Sequence, residues 1–587
     1  MEVTRENFQE VLTELDEVLK NASFLAIDGE FTGLNSGPEA TAFDTPAQYY
    51  QKLRTGSMNF LLVQFGLSVF THDKWDNKYS QRSYNFYVFP KPFDRSSTDC
   101  RFMCQASSIA FLVSQGFDFN KLFKSGIPYL TKAGEEKLQK KIEDRHKLRD
   151  NGNYDIIPIP ENDKAQMEEI CSRLEDFVKS EDESYVLDRY NAFIRRLIHQ
   201  EVQLRWPDKI RLENKIENGN CVVIAYKTGN KEEEAQREKE RREKEKQDIQ
   251  QAVGLSALLQ KIADSGKLIV GHNMLLDLCH IINQFFGPLP ESYTEFKSLV
   301  HGLFPKLIDT KIISQSAQFN QSVPSILNQL FEALQCSPYS LPTTEDIEDR
   351  SYSLKEDKSH EAGYDAYMTG LCFIALSNRL GALQTPEVRP VLADSRLLAP
   401  YLNKLCIAKL KDYPHINLVG NDPNPCRDHI FHVTFPKQWR INDLTQLFNP
   451  YGGAYVAWLT DTTAYAALHK KDQVSAVVKN LLKGSSKLFS LKRYKDHQAS
   501  VESENSQPKL DRKRKISEDG ESSPTKVEAG QGEGANDVDV DEAAPLHPST
   551  AGATKTQQQS NEGWEVASGK RRRKRIRTQG TERTDAR

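Results

Sequence analysis

Apolar runs and apolar positions at helical spacing alternate along the first 425 residues, and this pattern predicts an α/β fold. Six apolar side chains within residues 8–19 predict an amphipathic helix, which we expect to be part of the fold rather than a leader peptide. Four mostly apolar runs predict strands, at 24–27, 60–70, 85–89 and 267–270. Two further segments predict helices, one beginning near Met274 and one over Tyr364–Leu376.

The alternation is interrupted, which predicts one domain split by another. Residues 1–160 supply the first part of the α/β domain and 251–425 the second. Between them, 161–228 combine helical patterns with a strand at 221–226 and form a predicted small α/β insertion. Residues 229–250 mix both signs of charge without an apolar stripe. We expect a linker, helical through i,i+4 pairs, with nothing to bury against a core.

A smaller domain and a tail follow. Residues 426–484 predict strand, helix, strand, strand and helix, the order of an RNA-recognition motif with an α+β fold. Tyr465 is the only aromatic residue on the third element of its sheet, so we do not expect several bases to stack there. Residues 485–587 are poor in apolar side chains and predict a disordered tail. Basic clusters at 512–515 and 570–575 indicate nuclear import or nucleic-acid contact, and Ser517 and Ser523 are candidate phosphorylation sites.

Composition narrows the class of protein. The 587 residues are enough for three or four domains. The net charge of -4 means that RNA binding would depend on local basic and aromatic surfaces. Nine dispersed cysteines without zinc spacing indicate thiols in a reducing compartment. No run of 18 apolar residues occurs, so we expect no membrane partner.

Four acidic residues lie beside the apolar segments. Asp28 and Glu30 are two positions apart on a predicted strand, so they project from one face. Asp277 and Asp365 lie near the starts of predicted helices, and His360 precedes the second helix on a loop. Buried acids are costly unless they are paired or bound to a cation, so the set predicts a magnesium site. Two ions roughly 3.5–4 Å apart, with a histidine as proton acceptor, suit phosphodiester hydrolysis.

Each of these residues alone has an ordinary interpretation, such as a turn for Asp-Gly-Glu or a surface loop for the histidine. Their joint occurrence in strand and helix contexts favours the metal site. A fifth acid, Asp309, is interpreted as a structural residue at a strand end.

The phrases IDGEF, GHNMLLD and HEAGYDAY, with FDTP, NFYVFPKPF and SQGFDFNKLF, resemble the poly(A)-specific ribonuclease family of deadenylases, within the four-acid exonucleases that use a histidine. The resemblance covers roughly residues 1–480. It implies a ribonuclease H-like domain in which Asp28, Glu30, Asp277 and Asp365 hold two Mg2+ ions, with Mn2+ as a substitute, and His360 is the general base. The implied reaction shortens poly(A) tails of mRNA in the 3'-to-5' direction and releases 5'-AMP.

Several residues are expected to contact RNA. Arg195 and His199 share one helix face at i,i+4 and resemble the single-strand-binding domain named for Arg-x-x-x-His. Phe31, His272 and Asn273 are close in sequence to the acids, and we expect them, together with Leu34, to hold bases. In the resembling family, a tryptophan at the place of Trp458 stacks the 7-methylguanosine cap, which an indole binds by cation–π attraction. Hydrophobic packing is the alternative for Trp458.

The resemblance also implies partners. They are poly(A) RNA, capped mRNA, a second copy in a homodimer formed through the nuclease fold, and cap- or tail-associated decay factors. The expected location is the nucleus and cytoplasm, and a role in nonsense-mediated decay is implied. Two alternatives remain, a general 3' exonuclease for small noncoding RNA and a catalytically inactive cap- and RNA-binding scaffold.

Overall fold

The computed structural model describes residues 1–93, 99–150, 156–207, 209–217, 220–228, 231–319, 323–353, 358–483 and 488–505. The basic clusters at 512–515 and 570–575, Ser517 and Ser523 lie outside these residues. The described strands, in chain order, are β1 (Glu2–Val3), β2 (Phe24–Phe31), β3 (Leu62–Asp73), β4 (Lys78–Tyr87), β5 (Ser184–Val186), β6 (Ile210–Glu217), β7 (Asn220–Lys227), β8 (Leu268–Gly271), β9 (Leu307–Asp309), β10 (Thr344–Asp346), β11 (Lys404–Cys406), β12 (His415–Asn417), β13 (Ile430–Thr434), β14 (Ala454–Thr460), β15 (Thr463–Leu468) and β16 (Ser490–Arg493).

The α-helices, in chain order, are α1 (Phe8–Asn21), α2 (Pro46–Gly56), α3 (Ala106–Ser114), α4 (Phe119–Ser125), α5 (Lys132–Asp150), α6 (Glu161–Lys179), α7 (Ala192–Arg205), α8 (Lys231–Val253), α9 (Leu255–Asp264), α10 (Leu275–Ile281), α11 (Tyr293–Leu303), α12 (Thr310–Ser314), α13 (Leu327–Leu334), α14 (Ala362–Ala382), α15 (Ile441–Phe448), α16 (Val474–Val477) and α17 (Tyr494–Asn505). Short 3-10 turns lie at Arg396–Tyr401, Asn449–Tyr451 and Lys471–Gln473, and π turns follow α10 and α16 at Ile282–Phe286 and Val478–Leu482.

The largest sheet has nine strands, which come from both sides of the insertion. Its order is β1, β4, β3, β2, β8, β9, β11 and β12, and β10 pairs with β4. The strand β2 pairs antiparallel with β3 and parallel with β8, so the two parts of the chain join at the centre of one sheet. One apolar core lies between the sheet and α1, α9, α10 and α11. A second core lies beneath α13 and α14 on the other face, so the predicted α/β domain has three layers.

The insertion leaves and re-enters this domain at one point. Tyr129 and Gly254 form an antiparallel bridge, and the Leu255 N–H donates to the Pro128 carbonyl at 3.0 Å. Gly254 has φ +49, and a Cβ there would lie 1.9 Å from the Pro128 oxygen, so the junction requires glycine. Beyond it, β5, β7 and β6 form a small sheet that packs on α6 and α7 around its own apolar core.

The charged segment that we expected to be a linker without a buried face is part of a two-helix arm. Residues 231–253 form α8, which is helical as predicted and has i,i+4 ion pairs such as Arg242–Glu238. This helix lies against α5, and the His146 Nε2 pairs with a Glu245 carboxylate. As expected, none of its described side chains is buried in a core, but the sequence did not reveal the partner α5, which lies about a hundred positions earlier.

The C-terminal domain has a four-stranded sheet in the order β14, β15, β13, β16. Helices α15 and α16 cover one face around an apolar core, and the predicted order of elements over 430–482 is present. The predicted end at 484 is wrong, because β16 pairs with β13 and α17 follows it within the segment expected to be disordered. In the described part of the chain, every helix is too short or too polar to cross a membrane.

Candidate active site

Three elements carry the four acids and bring them together at the centre of the nine-stranded sheet. Asp28 and Glu30 lie on β2, and a Cβ at the Gly29 between them would lie 3.2 Å from the Asp277 Oδ1. Its neighbour β8 leads into α10, whose first turn contains Asp277. The first turn of α14, which packs across β2 and β3, contains Asp365. A Cβ at Gly66 of β3 would lie 1.9 Å from the Ala362 carbonyl oxygen, so glycine allows this helix to approach the sheet.

Glu30, His360 and Asp365 form the tightest group of metal-ligating side chains. One ligand atom from each lies within 4.8 Å of the others, and the part of the chain described here holds no second group of this kind. His360 has φ +71, in the left-handed region, and its N–H donates to the Asp365 Oδ1 at 3.3 Å. Its ring meets the Phe111 ring edge to face, with centroids 4.8 Å apart. The histidine is therefore held beside the acids by its backbone and by an aromatic neighbour.

The two other acids, Asp28 and Asp277, interact electrostatically with the acids of this group. Burial raises the pKa of Asp28 well above its usual value, and the charges of Asp277, Asp365 and Glu30 add to the shift. Burial, with Asp365 and Asp277, also raises the pKa of Glu30. Burial and then Asp309 raise the pKa of Asp277 to about 7, against backbone hydrogen bonds that lower it. Mutually repelling carboxylates with hard oxygen donors suit a divalent cation such as Mg2+ or Mn2+.

Asp309 has a structural role, as predicted. It lies at the end of β9, is fully buried, and caps α12 through the Lys311 N–H. Its carboxylate also accepts hydrogen bonds from the backbone of Asn273 at 2.9 Å and of Cys406 at 3.0 Å. The acid thus ties the turn after β8 to β9 and β11, and its oxygens already have donors.

His272 lies in the same turn, but both of its ring nitrogens have partners within the protein. The Nδ1 is 2.9 Å from the Thr310 Oγ1 and the Nε2 is 3.0 Å from the Ser325 carbonyl. Burial and then Lys311 lower the pKa of His272 to about 3, so the ring is neutral, with an Nε2–H that donates to Ser325. These contacts give no support to the predicted RNA contact. Asn273, the next residue, has a left-handed backbone with φ +61. Its side chain is exposed and accessible to a ligand.

Phe31 ends β2 directly after Glu30 and is half-buried. Its ring lies against that of His280, with centroids 4.5 Å apart. His280 was not singled out from the sequence, although it lies one helical turn after Asp277. Burial lowers its pKa to about 3, and its Nε2 has no hydrogen-bond partner among the described residues. A neutral imidazole therefore supports the aromatic ring next to the acids.

Arg195 and His199 lie on α7 of the insertion and are half-buried. The Arg195 guanidinium donates to the Tyr190 carbonyl at 3.0 Å and to the Cys221 carbonyl at 3.4 Å. The His199 Nε2 is 3.3 Å from the Asn214 Oδ1. Both side chains lie toward β6 and β7. At least one N–H of the arginine donates to carbonyl groups of its own domain. Their contact with RNA stays a prediction.

Trp458 lies on β14, the edge strand of the C-terminal sheet, and is 39% exposed. Its indole meets the Phe435 ring edge to face at 5.0 Å, which supports the ring on one side. In contrast, Tyr465 in the middle of the sheet is buried, and its hydroxyl contacts His497 of α17 at 2.9 Å. The helix α17 and Phe43 cover the sheet around Tyr465, which agrees with the expectation that bases do not stack there.

Comparisons with known proteins agree with this arrangement. Residues 3–373 match the family described as CAF1 family ribonuclease, and 420–500 match one described as RNA binding domain. The chain is 39% identical over 536 residues to the poly(A)-specific ribonuclease PARN of Xenopus laevis, covering 89% of this chain and 84% of the relative. It is 40% identical over 496 residues to the human protein of that name, covering 81% and 78%. It is 30% identical over 455 residues to the pre-piRNA 3'-exonuclease trimmer of Bombyx mori, covering 74% and 82%.

Proposed function

Because this chain belongs to the CAF1 family of ribonucleases, we propose that it is a divalent-cation-dependent exonuclease that removes adenosines from the 3' ends of RNA. The observation that carries the proposal is the approach of the Glu30, His360 and Asp365 ligand atoms to within 4.8 Å, with Asp28 and Asp277 coupled to them electrostatically. The adenosine preference rests on the names of relatives about 40% identical to this chain.

The residues divide the work of hydrolysis. Asp28, Glu30, Asp277 and Asp365 would hold Mg2+ or Mn2+. Burial and then neighbouring acids raise the pKa values of Asp28, Glu30 and Asp277, and a bound cation would favour their charged forms. Bound cations supply charge stabilisation at the scissile phosphate and lower the pKa of water. His360 accepts the proton of the attacking water, and its left-handed backbone aims the ring at Glu30 and Asp365. Phe31, backed by His280, offers an aromatic face to the terminal base.

We propose that the C-terminal domain binds the 5' cap through Trp458. Support comes from the half-exposed indole and from the match of 420–500 to an RNA binding domain. The cap would lie at the edge of the sheet, since α17 covers its middle. The insertion would contact single-stranded RNA near Arg195 and His199.

We also propose a homodimer formed through α3 and α4. Val113 is 57% exposed and Phe123 is 56% exposed, on a surface that rests on an aromatic cluster around Phe89 and Phe119. This surface adjoins the catalytic group through Phe111, which contacts His360. Sedimentation of wild type and Phe123→Glu tests the proposal, because a charge there should dissociate a dimer and leave a purely monomeric protein unchanged.

For the cellular location, we propose the nucleus and cytoplasm, on the basis of the basic cluster at 570–575.

A second candidate is 3' trimming of small noncoding RNA. It is favoured by the 30% identity to the Bombyx mori trimmer, which covers most of both chains. The two candidates differ in substrate, since a general trimmer should shorten any accessible 3' end. The inactive scaffold is disfavoured, because all four acids and the histidine are in place.

The deciding experiment follows 5'-labelled RNAs that end in adenosines or in cytidines, with Mg2+ or with EDTA. Stepwise shortening of the adenosine end alone supports the deadenylase, shortening of both ends supports the trimmer, and binding without shortening supports the scaffold. Asp28→Asn should abolish shortening, whereas Asp76→Asn, at an exposed acid of the β3–β4 turn, should not. His360→Ala should lower kcat by about 100- to 10,000-fold.

A further inference from the structure

A layer of buried polar side chains lies beneath the start of α14, the helix that carries Asp365. The first N–H groups of a helix have no partners within the helix. Here Gln64 of β3, only 2% exposed, accepts from the Ala362 N–H at 3.0 Å. Asn85 of β4, fully buried, accepts from the Gly363 N–H through its Oδ1 at 3.3 Å. The sheet therefore caps the helix that carries the catalytic acid.

The other end of the Asn85 amide makes a second contact. Its Nδ2 donates to the Glu361 Oε1 at 3.0 Å, and the Tyr352 hydroxyl donates to the same oxygen at 3.0 Å. The contacts of Asn85 with Gly363 and Glu361 fix the orientation of its amide. The amide oxygen must accept from the Gly363 N–H, and the amide nitrogen must donate to the Glu361 carboxylate. Glu361 is thus held by two donors, from β4 and from the segment before the helix.

Glu361 is the link between the general base and the metal ligand. It follows His360, and its carbonyl accepts from the Asp365 N–H at 3.0 Å. The His360 N–H in turn donates to the Asp365 carboxylate. A left-handed backbone at a non-glycine residue persists only where the surroundings enforce it. The fixed side chain of the next residue is such a constraint.

We propose that Asn85 and Glu361 are positioning residues, which hold His360 and Asp365 in register for hydrolysis; this inference rests on the ribonuclease activity proposed above. Neither side chain is needed to touch the RNA. Their effect is on the geometry of the reacting groups, where a misplacement of about 1 Å can cost on the order of 100-fold in rate.

The test exchanges the amide and the carboxylate. Asn85→Asp keeps the acceptor for Gly363 but sets two carboxylates against each other, and it should lower kcat on adenosine-ended RNA by about 10- to 100-fold with KM within about twofold of wild type. Adding Glu361→Gln restores a hydrogen bond between positions 85 and 361, with the amide now at 361 and the carboxylate at 85. This double variant should recover at least about tenfold of the lost kcat.

A matched control is Asn403→Asp. Asn403 is also a buried amide, accepting from the Leu307 N–H and donating to the Pro305 carbonyl, but it lies outside the acid group. It should lose thermal stability and keep its kcat. Should Asn85→Asp fail to fold, Tyr352→Phe removes the other donor to Glu361 and should lower kcat by at least about threefold.

The outcomes separate the two proposals. An inactive wild type overturns the proposed function. An active wild type with unchanged kcat in the folded Asn85→Asp and Tyr352→Phe variants overturns the positioning role, as does an Asn85→Asp defect that the double variant does not repair. A loss of kcat that the exchange repairs, with Asn403→Asp active, supports it.

Discussion

The imidazole rings of His432 and His497 stack with centroids 3.7 Å apart and planes 9° apart. His432 lies on β13 and His497 on α17, so the pair joins the C-terminal helix to the sheet that it covers. Burial lowers the pKa of His432 to about 4, and the neighbouring His497 and Lys492 add to the shift. A charge on either ring would oppose the stack.

We therefore expect the C-terminal domain to lose stability in acid. The folded-state pKa of His432 is below its unfolded value, so its contribution is complete above about pH 6.5 and is lost as the pH falls toward about 4. The loss should be at most about 3 kcal/mol. Urea unfolding between pH 7.5 and 4.5 measures it, with His432→Phe as the comparison. An equally steep pH dependence in that variant would contradict the assignment.

Arg427 joins the larger α/β domain to the C-terminal domain, and its removal should cost more free energy of unfolding than the removal of an exposed ion pair. It is 5% exposed, donates twice to Asp412 at 2.7 Å, and also donates to the Phe43 carbonyl and to the Tyr494 hydroxyl of α17. Arg427→Ala leaves the buried partners unpaired and should cost about 3–5 kcal/mol. Lys437→Ala, which breaks an exposed pair with Asp461, should have little effect on the free energy of unfolding, because water and salt screen this pair. Urea unfolding measures both, and equal effects would refute the prediction.

Trp458→Ala should weaken binding of 7-methylguanosine cap analogue by at least about tenfold, which corresponds to about 1.4 kcal/mol for a lost stacking face. The matched variant is Trp75→Ala, because Trp75 is 95% exposed on the β3–β4 turn and should not affect the cap. Fluorescence titration of both variants measures the affinity. Unchanged affinity in Trp458→Ala would leave the indole with its packing against Phe435 alone.

Asp28→Asn should stabilise the protein in EDTA while it abolishes activity. The substitution removes one of four neighbouring carboxylates, at a site where burial and then the charges of the other acids raise the pKa values of Asp28 and Glu30. The unfolding midpoint should rise by about 2–4 °C for each kcal/mol recovered. In Mn2+ the order should reverse, because the wild type gains more from the cation. Thermal scans in both conditions check this, and a variant that is less stable than wild type in EDTA would count against the crowding of charge.

The sequence predicted the parts of the site that are carried by single segments. The strand β2 and the helix α14 follow from local apolar patterns, and the spacing of Asp28 and Glu30 gives them a common face. Asp309 was interpreted correctly because an acid at the end of a buried strand has backbone donors nearby.

Contacts that depend on distant residues were not predictable in this way. The ring of His272 contacts Thr310 and Ser325, which lie on later segments, so its position near Asp277 in the sequence did not reveal these contacts. Gln64 and Asn85 were also missed, although each polar side chain lies between two apolar or aromatic residues in the sequence. That pattern indicates a buried amide with a specific partner, but it does not tell which helix supplies the partner.

The bridge between Tyr129 and Gly254 gives the molecule a modular character. The chain enters and leaves the arm through these two adjacent residues. None of the nine strands of the large sheet comes from the arm, so the sheet can form without it. If the residues between Tyr129 and Gly254 were deleted, a short turn should be enough to connect the two ends. An exchange of the insertion should therefore leave the strand order of the sheet unchanged, together with β2, α10 and α14, which carry the acids.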